Sequence, residues 1–79
     1  MRPKTSEDFV TVMQETMDTD GWTCIEGVFK EFIAKTRAKV LDGHGDVYLN
    51  QLWGVRWMLL DLYQAAKVDV PPYVEAILK

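Results

Sequence analysis

The chain contains 79 residues, of which 48% are hydrophobic and 27% charged, and it carries a formal net charge of −3 at pH 7. This length predicts one small domain spanning residues 1–79, and the negative charge argues against a nucleic-acid-binding protein that relies on bulk electrostatic attraction. Arg56 and Asp61 interrupt the most apolar stretch and the chain starts "MRPKTSED", so we expect neither a transmembrane helix nor a signal peptide, and predict a cytoplasmic protein without a membrane partner.

The first predicted element is a short helix from about Glu7 to Met17. Ser6 is suited to cap its beginning, and the two acidic residues that follow suit the positive end of the helix dipole. Because several of its residues are β-branched, its intrinsic propensity is mediocre and it must depend on tertiary contacts. Its apolar residues at helical spacing are Phe9, either Val12 or Met13, and Met17.

The second predicted helix covers "DGWTCIEGVFKEFIAKTRAKVL", with Asp18, Thr19 or Asp20 as its cap. Two Glu–Lys pairs with i,i+4 spacing in the favourable order, Glu26–Lys30 and Glu31–Lys35, support it. Its apolar residues fall within about 100° of arc and predict one face that packs into the core. That face contains Trp22, Ile25, Phe29, Phe32, Ile33, Thr36 and Val40.

A polar turn, "DGHGD", separates this helix from a third one that runs from about Val47 to Val68. Short polar loops between long helices are typical of antiparallel neighbours. Apolar residues on the third helix repeat with alternating spacings of four and three, which predicts a seam packed along the second helix. This seam contains Tyr48, Leu52, Val55, Leu59, Leu62 and Ala66.

The last segment, "VDVPPYVEAILK", predicts a short terminal helix. Pro71 cannot continue the third helix, whereas Pro71 or Pro72 fits the first turn of a new one, with Asp69 as its cap. Its inward-facing residues should be Val74, Ile77 and Leu78. The four elements together predict an all-α fold, a long antiparallel helical hairpin with short N-terminal and C-terminal helices packed against it.

The third helix has a second apolar stripe, about 100° to 180° away from Tyr48 around its circumference. The terminal helices, a second copy of the chain, or a different protein could cover it. Trp, Tyr and Arg dominate protein interfaces, so we predict a partner interface here, with Trp53 and Trp57 not both buried within one subunit. The predicted interface residues are Leu49, Trp53, Arg56, Trp57, Leu60 and Gln64. Glycine weakens a helix. Gly54 is explained either by the close approach of a neighbouring helix or loop, or as a mildly destabilising residue without a packing role.

The small size of the domain also favours self-association. A chain this short has a thin stability margin and often gains a disulfide, a metal or a partner subunit. Cys24 is the only cysteine, so no intramolecular disulfide can form, and we expect a homo-oligomer.

Candidate catalytic and metal-binding residues do not form a convincing site. Asp42, His44 and Asp46 alternate in the polar turn, where Asp and Gly are ordinary turn residues. Cys24 lies about twenty residues from the single histidine, roughly 30 Å along a helix, and is better explained as a buried or inert thiol. No nucleotide-binding or hydrolase motif is present. We therefore predict no enzymatic activity, no cofactor and no metal.

Residues 21–66 resemble a type of small protein common in tailed-phage genomes. The features that carry the resemblance are Gly21-Trp22 ahead of a charged amphipathic helix, the polar turn "DGHGD", and the Leu52-Trp53-Gly54 step in the returning helix. The resemblance implies a phage-encoded, non-enzymatic protein, located in the host cytoplasm or the virion. The heavy aromatic content of the third helix and the two terminal helices depart from the pattern.

Two classes of function remain open. The first is a structural or assembly protein that self-associates or docks on a larger assembly, such as a virion, through the aromatic stripe. The alternative is a small inhibitor or adaptor that blocks a host protein, for example a defence nuclease or a polymerase. The twelve acidic residues are scattered, which argues against nucleic-acid mimicry.

Overall fold

The computed structural model describes residues 5–43 and 46–78. They form α1 (Ser6–Met17), α2 (Asp20–Leu41), α3 (Asp46–Ala65) and α4 (Pro72–Glu75), which continues directly into a 3₁₀ turn (Ala76–Leu78). No strand occurs within these two ranges. The prediction of an all-α protein is confirmed, and the two long helices, α2 and α3, pack against each other. His44 of the predicted polar turn lies outside the described residues.

Threonine side chains cap the first two helices. The Thr5 hydroxyl accepts a hydrogen bond from the Asp8 backbone N–H at 3.1 Å, so the cap of α1 is Thr5 and the prediction of Ser6 was wrong by one residue. Thr19, one of three predicted caps of α2, accepts the Trp22 backbone N–H at 3.2 Å. Each threonine has extended backbone geometry, which lets its side chain reach an N–H three residues ahead.

The core lies where α2 and α3 meet the C-terminal segment, which consists of α4 and its 3₁₀ turn. It confirms the predicted α3 seam. Leu52, Leu59 and Ala66 are buried, while Tyr48, Val55 and Leu62 are half-buried. The seam prediction omitted one α3 residue, Tyr63, which is buried as well. The buried hydrophobic residues from all elements are Trp22, Ile33, Leu52, Leu59, Tyr63, Ala66, Val74 and Ile77.

The predicted core face of α2 is only partly correct. Trp22, Ile33 and Thr36 are buried, but Ile25 and Phe32 each remain 43% exposed. Lys30 lies at the opposite edge of the buried face of α2, and its ammonium lies over the Tyr73 ring of α4. The C-terminal segment therefore covers the Lys30 side of α2 and leaves the side with Ile25 and Phe32 open.

α3 ends three residues earlier than predicted, at Ala65 rather than Val68. Lys67 has a φ of +55°, in the left-handed region. Its backbone N–H donates to the Gln64 carbonyl at 3.0 Å, and the Val68 N–H donates to the Tyr63 carbonyl at 3.2 Å. These two bonds form a Schellman motif, which satisfies the last carbonyls of the helix and reverses the chain.

The C-terminal helix begins at Pro72, as its fixed φ favours. Pro71 occupies the cap position without a side-chain hydrogen bond, so the prediction of Asp69 as the cap was wrong. Val74 and Ile77 are buried and Leu78 is half-buried, which agrees with the predicted inward face.

Replacing Lys67 by glycine should stabilise the protein, because a side chain in the left-handed region is strained and glycine is not. After subtracting the extra freedom of glycine in the unfolded chain, we expect K67G to gain about 0.5–1 kcal/mol in urea unfolding. K67A is the matched control, since it removes the same side chain but keeps the strain. An equal gain from both variants would contradict this explanation.

Candidate functional site

The predicted interface residues occupy one side of α3, called here the α3 aromatic face: Leu49, Trp53, Arg56, Trp57, Leu60 and Gln64. Trp57 is 59% exposed, Trp53 is 45% exposed and Leu49 is 36% exposed. Gln64 is exposed, and Arg56 is half-buried. Two indole rings on one helix thus stand largely in solvent, although a helix face opposite the core normally carries polar residues.

Arg56 contributes the positive charge of this face. Its guanidinium carbon lies 6.0 Å from the centroid of the Trp53 ring, which is within the range of a cation–π contact. An arginine held against a tryptophan presents a planar charged group beside an apolar ring, and both residue types are enriched at interface hot spots.

Leu60 is half-buried, as Arg56 is, but it differs from the other members of the face because it packs against the core cluster. The two short helices do not shield the tryptophans. The buried residues of the C-terminal segment, Val74 and Ile77, belong to the central core cluster, and Trp53 and Trp57 remain exposed with that segment in place. Roughly 200 Å² of indole surface is therefore open to a partner.

Gly54 lies between these tryptophans in sequence and has no packing reason within the described chain. A Cβ atom added to Gly54 would meet no atom within 4 Å, and the same holds for Gly27 in α2. The close approach that could justify Gly54 is therefore not made by another part of the described residues.

A second exposed apolar surface lies on α2. Ile25, Val28 and Phe32 follow one another at helical spacing and are 43%, 65% and 43% exposed. This surface lacks the Trp and Arg residues that dominate interfaces. It provides matched control positions for experiments on the α3 aromatic face.

Of the residues considered for chemistry, His44 lies outside the described residues, and the others form no metal-binding group. Cys24 was predicted to be a buried or an inert thiol. It is exposed, so the first of these alternatives was wrong, because α2 turns this position toward solvent. Within residues 5–43 and 46–78, no three His, Cys, Asp or Glu side chains are grouped closely enough to hold a metal ion. The same ranges contain no helix that is both long enough and apolar enough to cross a bilayer.

Sequence reasoning missed a polar network around Tyr63. The Tyr63 hydroxyl donates to Glu26 Oε2 at 3.1 Å and lies 3.1 Å from the Tyr73 hydroxyl. Because Tyr63 has only one hydroxyl proton, Tyr73 must act as the donor to Tyr63. Burial, together with the negative charge of Glu26, raises the pKa of Tyr63 above its ordinary value.

No protein-family model, curated protein or solved structure matches this chain.

Stability should fall at high pH through Tyr63. Because the pKa of Tyr63 is higher in the folded chain than the ordinary value of about 10, the folded state keeps a proton that the unfolded state releases. The stabilisation is fully present below about pH 10 and is lost as the pH rises further, by up to roughly 1.4 kcal/mol per pH unit. Urea unfolding between about pH 8 and pH 11 measures this slope.

Tyr63→Phe is the comparison. It should be less stable at neutral pH by about 1 kcal/mol, because two hydroxyl hydrogen bonds are lost, but its stability should fall less steeply above about pH 10. Equal slopes in the two proteins would show that Tyr63 ionises as readily in the folded chain as in the unfolded one.

Proposed function

We propose that this chain is a non-enzymatic protein–protein interaction module and that the α3 aromatic face is its interface. The observation that carries the proposal is the exposure of Trp53 and Trp57, 45% and 59%, on one helix that packs its opposite side into the core. Burying these rings against a partner would remove apolar area from water at roughly 25 cal/mol per Å², and tryptophans are the residues that most often dominate binding energy.

The scaffold that presents this face is, in our proposal, an antiparallel hairpin of α2 and α3. Trp22 near the beginning of α2 meets Tyr63 near the end of α3 edge-on, with ring centroids 6.2 Å apart. Leu41 at the end of α2 shares a small cavity with Leu49 and Leu52 near the beginning of α3. Contacts between opposite ends of the two helices support antiparallel packing.

We favour self-association or docking on a larger protein assembly over binding of a single host target. The small core supports this choice, because small domains commonly gain stability from partner subunits. The resemblance of residues 21–66 to small tailed-phage proteins extends the proposal to a role in virion structure or assembly, in the host cytoplasm or the virion. Such a role requires no cofactor and no nucleic-acid contact.

Trp57→Ala should weaken association by roughly 2 kcal/mol or more, about thirtyfold in the dissociation constant, if Trp57 is an interface hot spot. The unfolding of the monomer should change little, because the side chain is more than half exposed. Sedimentation equilibrium over a concentration series measures association, and thermal unfolding at the lowest concentration measures monomer stability.

Two alanine variants are the controls for Trp57→Ala. Trp22→Ala removes the same kind of side chain from the core and should destabilise the fold by about 3–5 kcal/mol. Phe32→Ala removes a partly exposed aromatic residue from α2 and should leave association unchanged. If Phe32→Ala weakens association and Trp57→Ala does not, the interface lies on α2. A protein that stays monomeric at all concentrations but binds one host protein through Trp57 would instead support the inhibitor or adaptor class.

Gly54→Ala tests whether a partner approaches the helix backbone beside the tryptophans. A Cβ atom meets no neighbour at Gly54 or Gly27, so G54A and G27A should each stabilise the monomer by about 1 kcal/mol through helix propensity. G54A should also weaken association, whereas G27A should not. Equal association of both variants with the wild type would exclude close backbone packing at Gly54.

A further inference from the structure

An open cavity of about 430 Å³ lies at the opposite end of α3 from Leu49. It forms where the end of α1, the beginning of α2 and the turn after α3 come together. Met17, Val68 and Pro71 supply apolar walls, and the buried Trp22 contributes aromatic surface. It is widely open to solvent, and none of its lining residues belongs to the α3 aromatic face.

The polar side chains around this cavity present hydrogen-bond acceptors. Asp18 and Glu26 contribute carboxylates. The Gln14 amide nitrogen donates one of its two hydrogens to the Ala66 carbonyl at 2.9 Å, and the amide oxygen remains able to accept. The Tyr63 hydroxyl donates its single proton to Glu26 Oε2. Glu26 Oε1 therefore receives no hydrogen bond from Tyr63. No Lys, Arg or His of the described residues lines the cavity.

The helix ends contribute less to this negative character than the carboxylates do. α1 ends at Met17 and α3 ends at Ala65, and neither has a basic residue in its last turn. The carbonyl end of a helix carries roughly half a negative charge. The beginning of α2 contributes one positive helix end at the same place. That end has the acidic residue Asp20 in its first turn. The two carboxylates therefore supply most of the negative charge of the cavity, because the last carbonyls of α3 are already hydrogen-bonded and add little to it.

The nearest lysine on α2 does not neutralise Glu26. Lys30, four residues further along, lies with its ammonium 5.1 Å from the Tyr73 ring centroid. On the same helix, Glu31 and Lys35 form an ion pair at 2.8 Å. The Glu26 carboxylate, half-buried beside the cavity, forms no such ion pair with a lysine or arginine of the described residues.

We propose that this cavity binds an alkylguanidinium group, the head group of an arginine side chain. A guanidinium ion is planar, weakly hydrated and rich in donors, so it matches carboxylate and amide oxygens set among apolar and aromatic walls. A metal ion fits poorly, because the described residues provide no group of three acidic or sulfur and nitrogen ligands. A primary ammonium ion is more strongly hydrated and would lose more on entering these walls.

The experiment is an NMR titration of the ¹⁵N-labelled chain with N-acetyl-arginine N-methylamide. Saturable shifts should appear at the Gln14 side-chain amide and the Trp22 indole N–H. N-acetyl-citrulline N-methylamide, which has the same shape without the charge, should produce no saturable shift. Ethylguanidinium is the second probe. Equal affinity for the two cations would show that the site recognises the head group alone, as in a free organic cation. Tighter binding of the arginine derivative would show that the site recognises an arginine within a polypeptide.

Two charge-removing variants locate the binding to this cavity. Glu26→Gln keeps an acceptor for Tyr63, and Asp18→Asn alters an exposed residue, so both should remain folded. Each should raise the dissociation constant about fivefold or more. Glu31→Gln makes the same change on the far side of α2 and should leave the dissociation constant unchanged. Trp57→Ala should also leave the dissociation constant unchanged, which keeps this test separate from that of the α3 aromatic face. Equal shifts with arginine and citrulline derivatives, or equal effects of Glu26→Gln and Glu31→Gln, would overturn the proposal.

Discussion

The buried hydroxyl of Tyr63 is the interaction on which the arrangement of the helices depends. It belongs to α3, donates to Glu26 of α2 and meets the hydroxyl of Tyr73 in α4. A buried polar group without partners costs about 1–3 kcal/mol, whereas a domain of this size has a total stability of about 4–12 kcal/mol. The hydroxyl has both of its partners only when all three helices are in place, so these hydrogen bonds couple the positions of the helices.

The same contacts of Tyr63 and Tyr73 determine which charged residues of α2 form ion pairs with each other. Glu26 and Lys30 have the spacing of a helical ion pair, as do Glu31 and Lys35, yet only Glu31 and Lys35 pair within the described chain. Glu26 instead accepts the Tyr63 hydroxyl, and Lys30 covers the Tyr73 ring. An exposed ion pair contributes only a few tenths of a kcal/mol, so tertiary contacts with two tyrosines easily override it.

The sequence predicted those features of the fold that local periodicity and chain-breaking residues determine. The helix types, the α3 seam and the exposed position of the tryptophans follow from a repeat of 3.6 residues and from the prolines at 71 and 72. Burial of Tyr63 and exposure of Phe32 depend on which side of the packed α2 and α3 helices the C-terminal segment covers, which no local pattern specifies. The left-handed Lys67 was also unpredictable, because glycine normally occupies such a position.

The described terminal helices are too short to cover both sides of the two long helices. α4 and its 3₁₀ turn span seven residues, whereas α3 spans twenty, roughly 10 Å of helical rise against 30 Å. Their buried residues are used on the core side, with Tyr63 and Leu59. α1 is held at the end of α3, where Gln14 bonds Ala66. Since Trp53 and Trp57 remain exposed with both elements in place, the described chain leaves its largest aromatic surface for a partner to cover.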